Sequence, residues 1–354
     1  MNNNLPPRHD IPSFWRPHTP GTVFLHLGEN PFPPTDRVQR AIAEAARHAH
    51  RYPDTNGLVL RARLAEYAGH GLRRENVLLG NGSDELIDLA VVAFAGPSRT
   101  VVTFEPSFFV YTFAARRHGV SVVSLKRAGD YSLPPVSEIL PAVREEPVSL
   151  TFLANPNNPT GTLTPRERIV AYLEAWPGIV VVDECYFEFS GETVADLIPR
   201  HENLLVLRSL SKSFGLSGLR LGYALGHEKT VDSLARHAMT FPVNALAQAA
   251  GLAALEDAEF YRQRIHGMIQ ARGALQRELQ ALGLDVLPSQ ANFLLTLWPE
   301  SIPERHPARL LAERGILVSD QTAALNLSRP ALRLAIGTPE ETARLLQAIR
   351  VLLG

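Results

Sequence analysis

The sequence predicts an α/β protein: a large, mostly parallel sheet of about seven strands sandwiched by helices, followed by a smaller α/β unit at the C-terminal end. Two observations carry this expectation. The middle of the chain alternates short runs rich in β-branched residues with longer stretches of helical period, the pattern of strands joined by crossover helices. After Asn244 that pattern gives way to a long helical tract and then to a few short strands. The length of 354 residues is compatible with two or three domains.

Taken in order, residues 1–35 are rich in Pro and Asn, contain no periodic element and read as an arm lying on the body. Residues 36–245 read as the large domain. Within it the runs 77–79, 100–103, 121–125, 149–154, 179–183, 204–208 and 221–225 have strand length. Several are apolar at nearly every position, which suits strands buried on both faces. Residues 83–95, 108–117 and 166–175 carry helical periodicity. Residues 246–354 read as the small domain, which includes a long interdomain helix. The helical tract runs from Asn244 to about Leu282, and Gly283 suits its end. Strand candidates follow at 285–287, 293–297, 316–318 and 332–336.

Lys plus Arg total 35 against 36 Asp plus Glu, a net charge of −1. That balance excludes a broadly basic nucleic-acid binder and an acidic disordered chain. The single cysteine, Cys185, excludes an intrachain disulfide and a thiolate metal cluster, and it suits a reducing compartment. No apolar run approaches the roughly 18–20 residues of a membrane helix, and MNNNLPPRHD lacks the apolar core of a secretory leader. The expectation is a cytoplasmic protein without nucleic-acid or membrane partners. His48 and His50, two residues apart at a helix end, face away from each other, and no metal site is expected. The chain has only three lysines, Lys126, Lys212 and Lys229, so chemistry that needs a primary amine has three candidates.

Four motifs carry chemistry. Ser209-Leu210-Ser211-Lys212-Ser213-Phe214-Gly215, followed by Gly218-Leu219-Arg220, places a lysine just past a buried strand. Desolvation there favours the neutral, nucleophilic amine, while the serines and Arg220 suit a dianionic phosphate. Taken alone, such a loop also reads as a solvated surface loop. Asn155-Pro156-Asn157-Asn158-Pro159-Thr160-Gly161 follows an apolar strand, at the carboxyl edge where open α/β sheets hold ligands; a punctuated turn is the other reading. In Val180-Val181-Val182-Asp183-Glu184-Cys185-Tyr186 the carboxylate of Asp183 ends a buried strand and needs a cationic partner, such as a protonated pyridine ring, unless it merely caps the next turn. Gly80-Asn81-Gly82-Ser83-Asp84-Glu85 puts a glycine turn before a helix, whose first amides form an anion site. It lacks the third glycine of a dinucleotide fingerprint and the lysine of a P-loop.

In this order and spacing the four motifs resemble the fold type I pyridoxal-phosphate enzymes of the class I/II aminotransferase superfamily, from Glu29-Asn30-Pro31 through Arg333. Within it the chain is similar to the histidinol-phosphate aminotransferases, through GENP, Arg51-Tyr52-Pro53-Asp54, GNGSDE and LRLAIGTPEE. The resemblance implies pyridoxal 5′-phosphate as cofactor, with Lys212 joined to it and then serving as general base and acid. It implies that Asp183 keeps the pyridine nitrogen protonated and that Asn158 and Tyr186 bond the ring's phenolic oxygen. Ser209, Ser211, Arg220 and the amides of Ser83 and Asp84 are implied to hold the phosphate, and Phe108 to stack on the ring, where many relatives carry Tyr. For Phe108 a core aromatic is the other reading. Arg333 is the implied carboxylate anchor, and Asn30 lies where relatives contact substrate.

The implied partners are a small-molecule amino donor and a 2-oxo acid acceptor. A homodimer is also implied, with Tyr52 reaching the phosphate of the other subunit. The implied reaction is histidinol phosphate plus 2-oxoglutarate to imidazole acetol phosphate plus L-glutamate. Alternatives are an aminotransferase for aromatic or other amino acids and a phospho-amino-acid decarboxylase on the same fold. A regulator built on this fold needs an added DNA-binding domain, for which the arm leaves no room. One departure bears on substrate: where relatives usually carry a phosphate-gripping Arg after the ILV strand, this chain has Ser319, with Arg16 and Arg329 as candidate substitutes.

Overall fold

The computed structural model describes residues 20–300 and 306–353. Residues 14–18, with Arg16, lie outside them. A two-residue strand, β1 (Val23–Phe24), comes first. Then β2 (Val77–Asn81), β3 (Thr100–Glu105), β4 (Ser121–Lys126), β5 (Val148–Ala154), β6 (Ile179–Asp183), β7 (Leu204–Ser209) and β8 (Leu221–Gly226) form one sheet in the order β2-β8-β7-β6-β5-β3-β4. Neighbours run parallel except at β8, which is antiparallel to both β2 and β7.

The pleat divides the sheet between two cores. Val102, Phe104, Leu153, Val180, Val182, Leu204 and Val206 face one, and Val101, Leu150, Phe152, Val181, Leu205 and Leu207 face the other. Helices Leu58–Ala68, Arg166–Ala175 and Ala245–Glu256 cover the first face, while Ser83–Phe94 and Val110–Arg117 cover the second. Each Val, Leu or Ile fully withdrawn from water contributes about 1.5–3 kcal/mol, so a strand buried on both faces has reason to be apolar throughout. The edge strand β4 differs, with Ser121, Ser124 and Lys126 exposed. A lysine on an edge discourages pairing with another chain.

The helical tract expected from Asn244 to Leu282 is two helices, Ala245–Glu256 and Ala258–Ala281, broken at Asp257. Its carboxylate is drawn off by Thr35 Oγ1 (2.7 Å) and Arg37 Nε (2.8 Å), which ties the break to the start of helix Asp36–Ala46. The second helix has 24 residues and spans about 36 Å. Its Tyr261 joins the large core, Ile265 and Met268 pack with Tyr186, and Leu275 and Leu279 enter a separate core. That last core underlies a four-stranded antiparallel sheet in the order β12-β13-β10-β9, made of β9 (Asp285–Val286), β10 (Phe293–Leu297), β12 (Ser319–Asp320) and β13 (Ala331–Ala335).

The remaining strand, β11 (Ile316–Leu317), pairs parallel with β1 instead. The first thirty residues therefore do contain a regular element, although two residues are too few to show a period. Val23 and Leu25 are buried, and Leu25 gives its amide to Leu317 (2.8 Å) and its carbonyl to Ala335 (3.0 Å). No helix among the described residues is long and apolar enough to cross a membrane.

Candidate active site

The site is assembled where β5, β6 and β7 end side by side, with the start of β8 beside them because β8 runs the other way. Asp183, the last residue of β6, is 6% exposed. It makes no ion pair among the described residues; it accepts from the Tyr111 hydroxyl (2.6 Å to Oδ2) and the Cys185 amide (3.1 Å to Oδ1). Burial pushes its carboxyl above the usual carboxylate range, and the Tyr111 hydroxyl, the Cys185 thiol and the Cys185 amide oppose that rise.

Lys212 follows β7 in a tight loop. Its Nζ donates to the Leu27 carbonyl at 3.0 Å, and burial, aided by the charge of Arg333, lowers its amine to about 8. Lys229 is exposed and pairs with Glu202 (2.8 Å), and Lys126 sits on the exposed end of β4. Lys212 is thus the amine that the fold turns inward. The Asn30 side chain spends its amide on the carbonyls of Lys212 (3.0 Å) and Ser213 (3.2 Å), and its Oδ1 accepts from the Phe32 amide (3.1 Å). In the structure Asn30 braces the lysine loop.

A second corner gathers anion-binding groups. Ser209 and Ser211 are buried, with their hydroxyl oxygens 2.9 Å apart. Pairing of Asn81 with Leu221 brings the start of helix Ser83–Phe94 against Arg220. No side chain caps that helix, so the first-turn amides of Ser83 and Asp84 have no intrahelical partner. Arg220 adopts a left-handed backbone (φ +56°) and bonds Asp84 at 2.9 Å. The packing here requires glycine: a Cβ on Gly222 would lie 2.5 Å from the Gly82 carbonyl carbon and 2.6 Å from the Ser83 nitrogen. Gly222→Ala should therefore push the helix start away and destabilise the protein by about 1–3 kcal/mol, as overpacking does. Equilibrium unfolding in urea checks this, and an unchanged midpoint would refute it.

The third group faces these two from the small sheet. Arg333, at the centre of β13, is 8% exposed. Its guanidinium bonds the His26 carbonyl (2.7 Å) and Asn158 Oδ1, and lies 5.2 Å from the centre of the Phe293 ring. Its Nε has no partner among the described residues. Tyr186 meets the same Phe293 edge-on (5.4 Å), and burial raises its hydroxyl well above the ordinary value. Asn158 is carried by a loop that the buried Asn157 fixes through Pro106 O (3.1 Å), Thr160 Oγ1 (2.8 Å) and Ser107 Oγ (2.8 Å). The same bonds seat Phe108, which stands edge-on to Tyr111 at 5.6 Å.

Ser319 is the register partner of Arg333, and its hydroxyl accepts from Gln321 (2.7 Å). Arg329 is engaged with Asp285 at 2.6 Å in a pair at the surface. Tyr52 stands apart: it is 83% exposed, and its ring stacks on Phe241 at 4.6 Å.

Two groups are not visible as site residues in the sequence. Tyr111 reads there as an apolar helix position. The Glu184–Arg208 pair adjoins the site on the other face of the sheet, with Nε and Nη2 of Arg208 at 3.0 and 2.9 Å from Glu184 Oε2. The side chains are 2% and 0% exposed, Thr193 and the Val194 amide complete their bonding, and Arg208 lies 3.7 Å from the centre of the Phe187 ring. A charge inside each of two apolar runs is the signal that could have found them.

A family model for class I and II aminotransferases matches residues 22–349. The chain is 39% identical to a histidinol-phosphate aminotransferase of Desulfitobacterium hafniense, over 93% of this chain and 91% of that protein. It is 35% identical to one from Thermobifida fusca, over 99% and 96%. Among solved structures, a histidinol-phosphate aminotransferase of Sinorhizobium meliloti in complex with pyridoxal-5′-phosphate aligns with a TM-score of 0.82 at 25% identity, covering 94% and 90%. The match extends from just before β1 into the final helix, Pro339–Leu353, and so spans both sheets and every corner of the site. The chain belongs to the class I and II aminotransferase family, on its histidinol-phosphate aminotransferase branch.

Proposed function

We propose that this transaminase carries the amino group of histidinol phosphate to 2-oxoglutarate, yielding imidazole acetol phosphate and L-glutamate in histidine biosynthesis, and that it does so with pyridoxal 5′-phosphate. The observation that carries the reading is a single inward lysine amine of lowered basicity in the loop after β7, next to the end of β6 with its buried carboxylate and neutral donors. The residues present fit the cofactor. An uncapped helix start, two buried serine hydroxyls and Arg220 suit its phosphate. Asp183, a buried carboxylate with no cation against it among the described residues, suits a protonated ring nitrogen.

When bound, the cofactor supplies an electron-poor ring that spreads the negative charge left at the substrate's α-carbon. Lys212 Nζ, whose basicity burial lowers, would give the covalent attachment and then carry the proton that leaves the substrate's α-carbon. Asp183, as a carboxylate, would pair with the ring nitrogen and keep the proton on it. Arg333 offers paired N–H groups to the substrate carboxylate of the amino acid or oxo acid, with its free Nε as one donor. Asn158 and Tyr186 face the same space and orient the ring's phenolic oxygen. The exposed Tyr52–Phe241 pair supports a homodimer in which Tyr52 serves the neighbouring subunit's phosphate.

A second reading, an aminotransferase for aromatic amino acids, is favoured by Ser319 standing beside Arg333 where the resemblance implies a phosphate-binding arginine. A substrate panel decides between them. Histidinol phosphate should exceed phenylalanine and tyrosine in kcat/KM with 2-oxoglutarate as acceptor. An aromatic amino acid ahead by about tenfold, 1.4 kcal/mol of transition-state preference, would replace the first reading by the second.

A further inference from the structure

We propose that Tyr111 is a positioning residue that holds Asp183 as an oriented, charged carboxylate and thereby keeps the proton on the cofactor's ring nitrogen. This rests on the reading of Asp183 as that nitrogen's partner. The Tyr111 hydroxyl lies 2.6 Å from Asp183 Oδ2 and is fully buried, at 1% exposure. Its ring is stacked flat on Phe152 (4.7 Å, 4°) and met edge-on by Phe108 (5.6 Å), so the hydroxyl is aimed by two aromatic contacts. The Cys185 amide takes the other oxygen at 3.1 Å from a backbone fixed at the end of β6. Each carboxylate oxygen then keeps a lone pair for a third donor.

The surroundings explain why such a clamp is needed. Asp183 lies at the edge of an apolar core that includes Phe152, Ala154, Val181 and Leu207. Burial alone favours a neutral acid there, whereas donors to the charged form favour the carboxylate. Burial and the neighbouring Asp183 drive the Tyr111 hydroxyl far above its ordinary value, so it remains a donor. The Cys185 thiol and the Tyr186 hydroxyl are raised as well and stay protonated, while Asp84, the other nearby acid, is exposed and paired with Arg220. Of the two side chains that stabilise the charge, Tyr111 contributes more and the Cys185 thiol less.

Without that hydroxyl Asp183 becomes the stronger base. The shared proton leaves the ring nitrogen and joins Asp183: one N–H bond breaks, one O–H bond forms, and both partners lose their charge. Tyr111→Phe keeps the ring and its stacking, which makes it the appropriate variant. The holoenzyme is loaded with pyridoxal phosphate labelled with 15N in the ring, and solid-state 15N NMR reports that nitrogen directly. We expect a pyridinium shift in the parent protein and a move toward the neutral pyridine shift in Tyr111→Phe. We also expect kcat to fall about tenfold with KM nearly unchanged, in line with one hydrogen bond to a charged group.

A pyridinium shift that persists in Tyr111→Phe overturns the role given to Tyr111. A neutral pyridine shift in the parent protein instead overturns the reading of Asp183 beneath it. In an Asp183→Asn background, which has no charged acceptor, adding Tyr111→Phe should leave kcat where Asp183→Asn alone puts it. A further loss there would assign Tyr111 to packing alone and refute the proposal.

Discussion

Lys212→Ala is expected to lower turnover by about 10⁴-fold, because in the proposed function one side chain supplies both the covalent attachment and the proton carrier. Neither role has a substitute. Lys126 and Lys229, the only other amines on side chains, are held at the surface, and Lys229 is paired with Glu202. The corner proposed to hold the phosphate does not depend on the lysine, since it is built from Ser209, Ser211, Arg220 and a helix start. The variant should therefore still take up pyridoxal phosphate, but without the visible absorbance that marks attachment to an amine. Absorbance spectra and steady-state rates test both halves. Retained activity would sink the mechanism, and failure to bind the cofactor at all would sink the assignment of the corner.

The second large effect is on stability. Arg208→Met strands the Glu184 carboxylate in a site that is 0% exposed, and breaking a buried pair in this way costs about 3–5 kcal/mol. Replacing both partners by apolar residues of similar size should recover much of that loss, because no charge is then left without a partner. Equilibrium unfolding at a fixed cofactor concentration measures it, since a ligand that binds only the folded state adds stability of its own. If the double variant is no better than Arg208→Met, the pair is not acting as a pair. Asp183 and Ser209 are the sequence neighbours of Glu184 and Arg208, so this bond ties the ends of β6 and β7 together beside the candidate site.

The large sheet is legible in the sequence because most of it is buried on both faces. Residues 149–154 and 204–208 read as runs dominated by apolar residues, and they fall within β5 and β7. The motif loops are legible for a related reason: Asn157 and Gly161 sit immediately past a strand, where side chains are spent on backbone geometry rather than on packing. What stays hidden is whatever depends on distant partners. Asp257 breaks a helix with no glycine or proline nearby, because Thr35 and Arg37 compete for its carboxylate. Asn30 reads as a ligand contact but turns toward the carbonyls of Lys212 and Ser213. Tyr111 has the period of an apolar helix face, and its hydroxyl acquires a purpose only when Asp183 is brought to it.

The Leu27 carbonyl that holds the Lys212 amine belongs to a segment pinned by β11 and by Ala335. Its partners are far off in sequence, Val23 against Ile316 and Phe24 against Leu317, so the wall beside the lysine amine is closed by a contact between distant stretches rather than by a local turn. Joining such stretches carries a loop-closure entropy that grows with their separation, which makes this wall one of the costliest contacts of the fold to assemble.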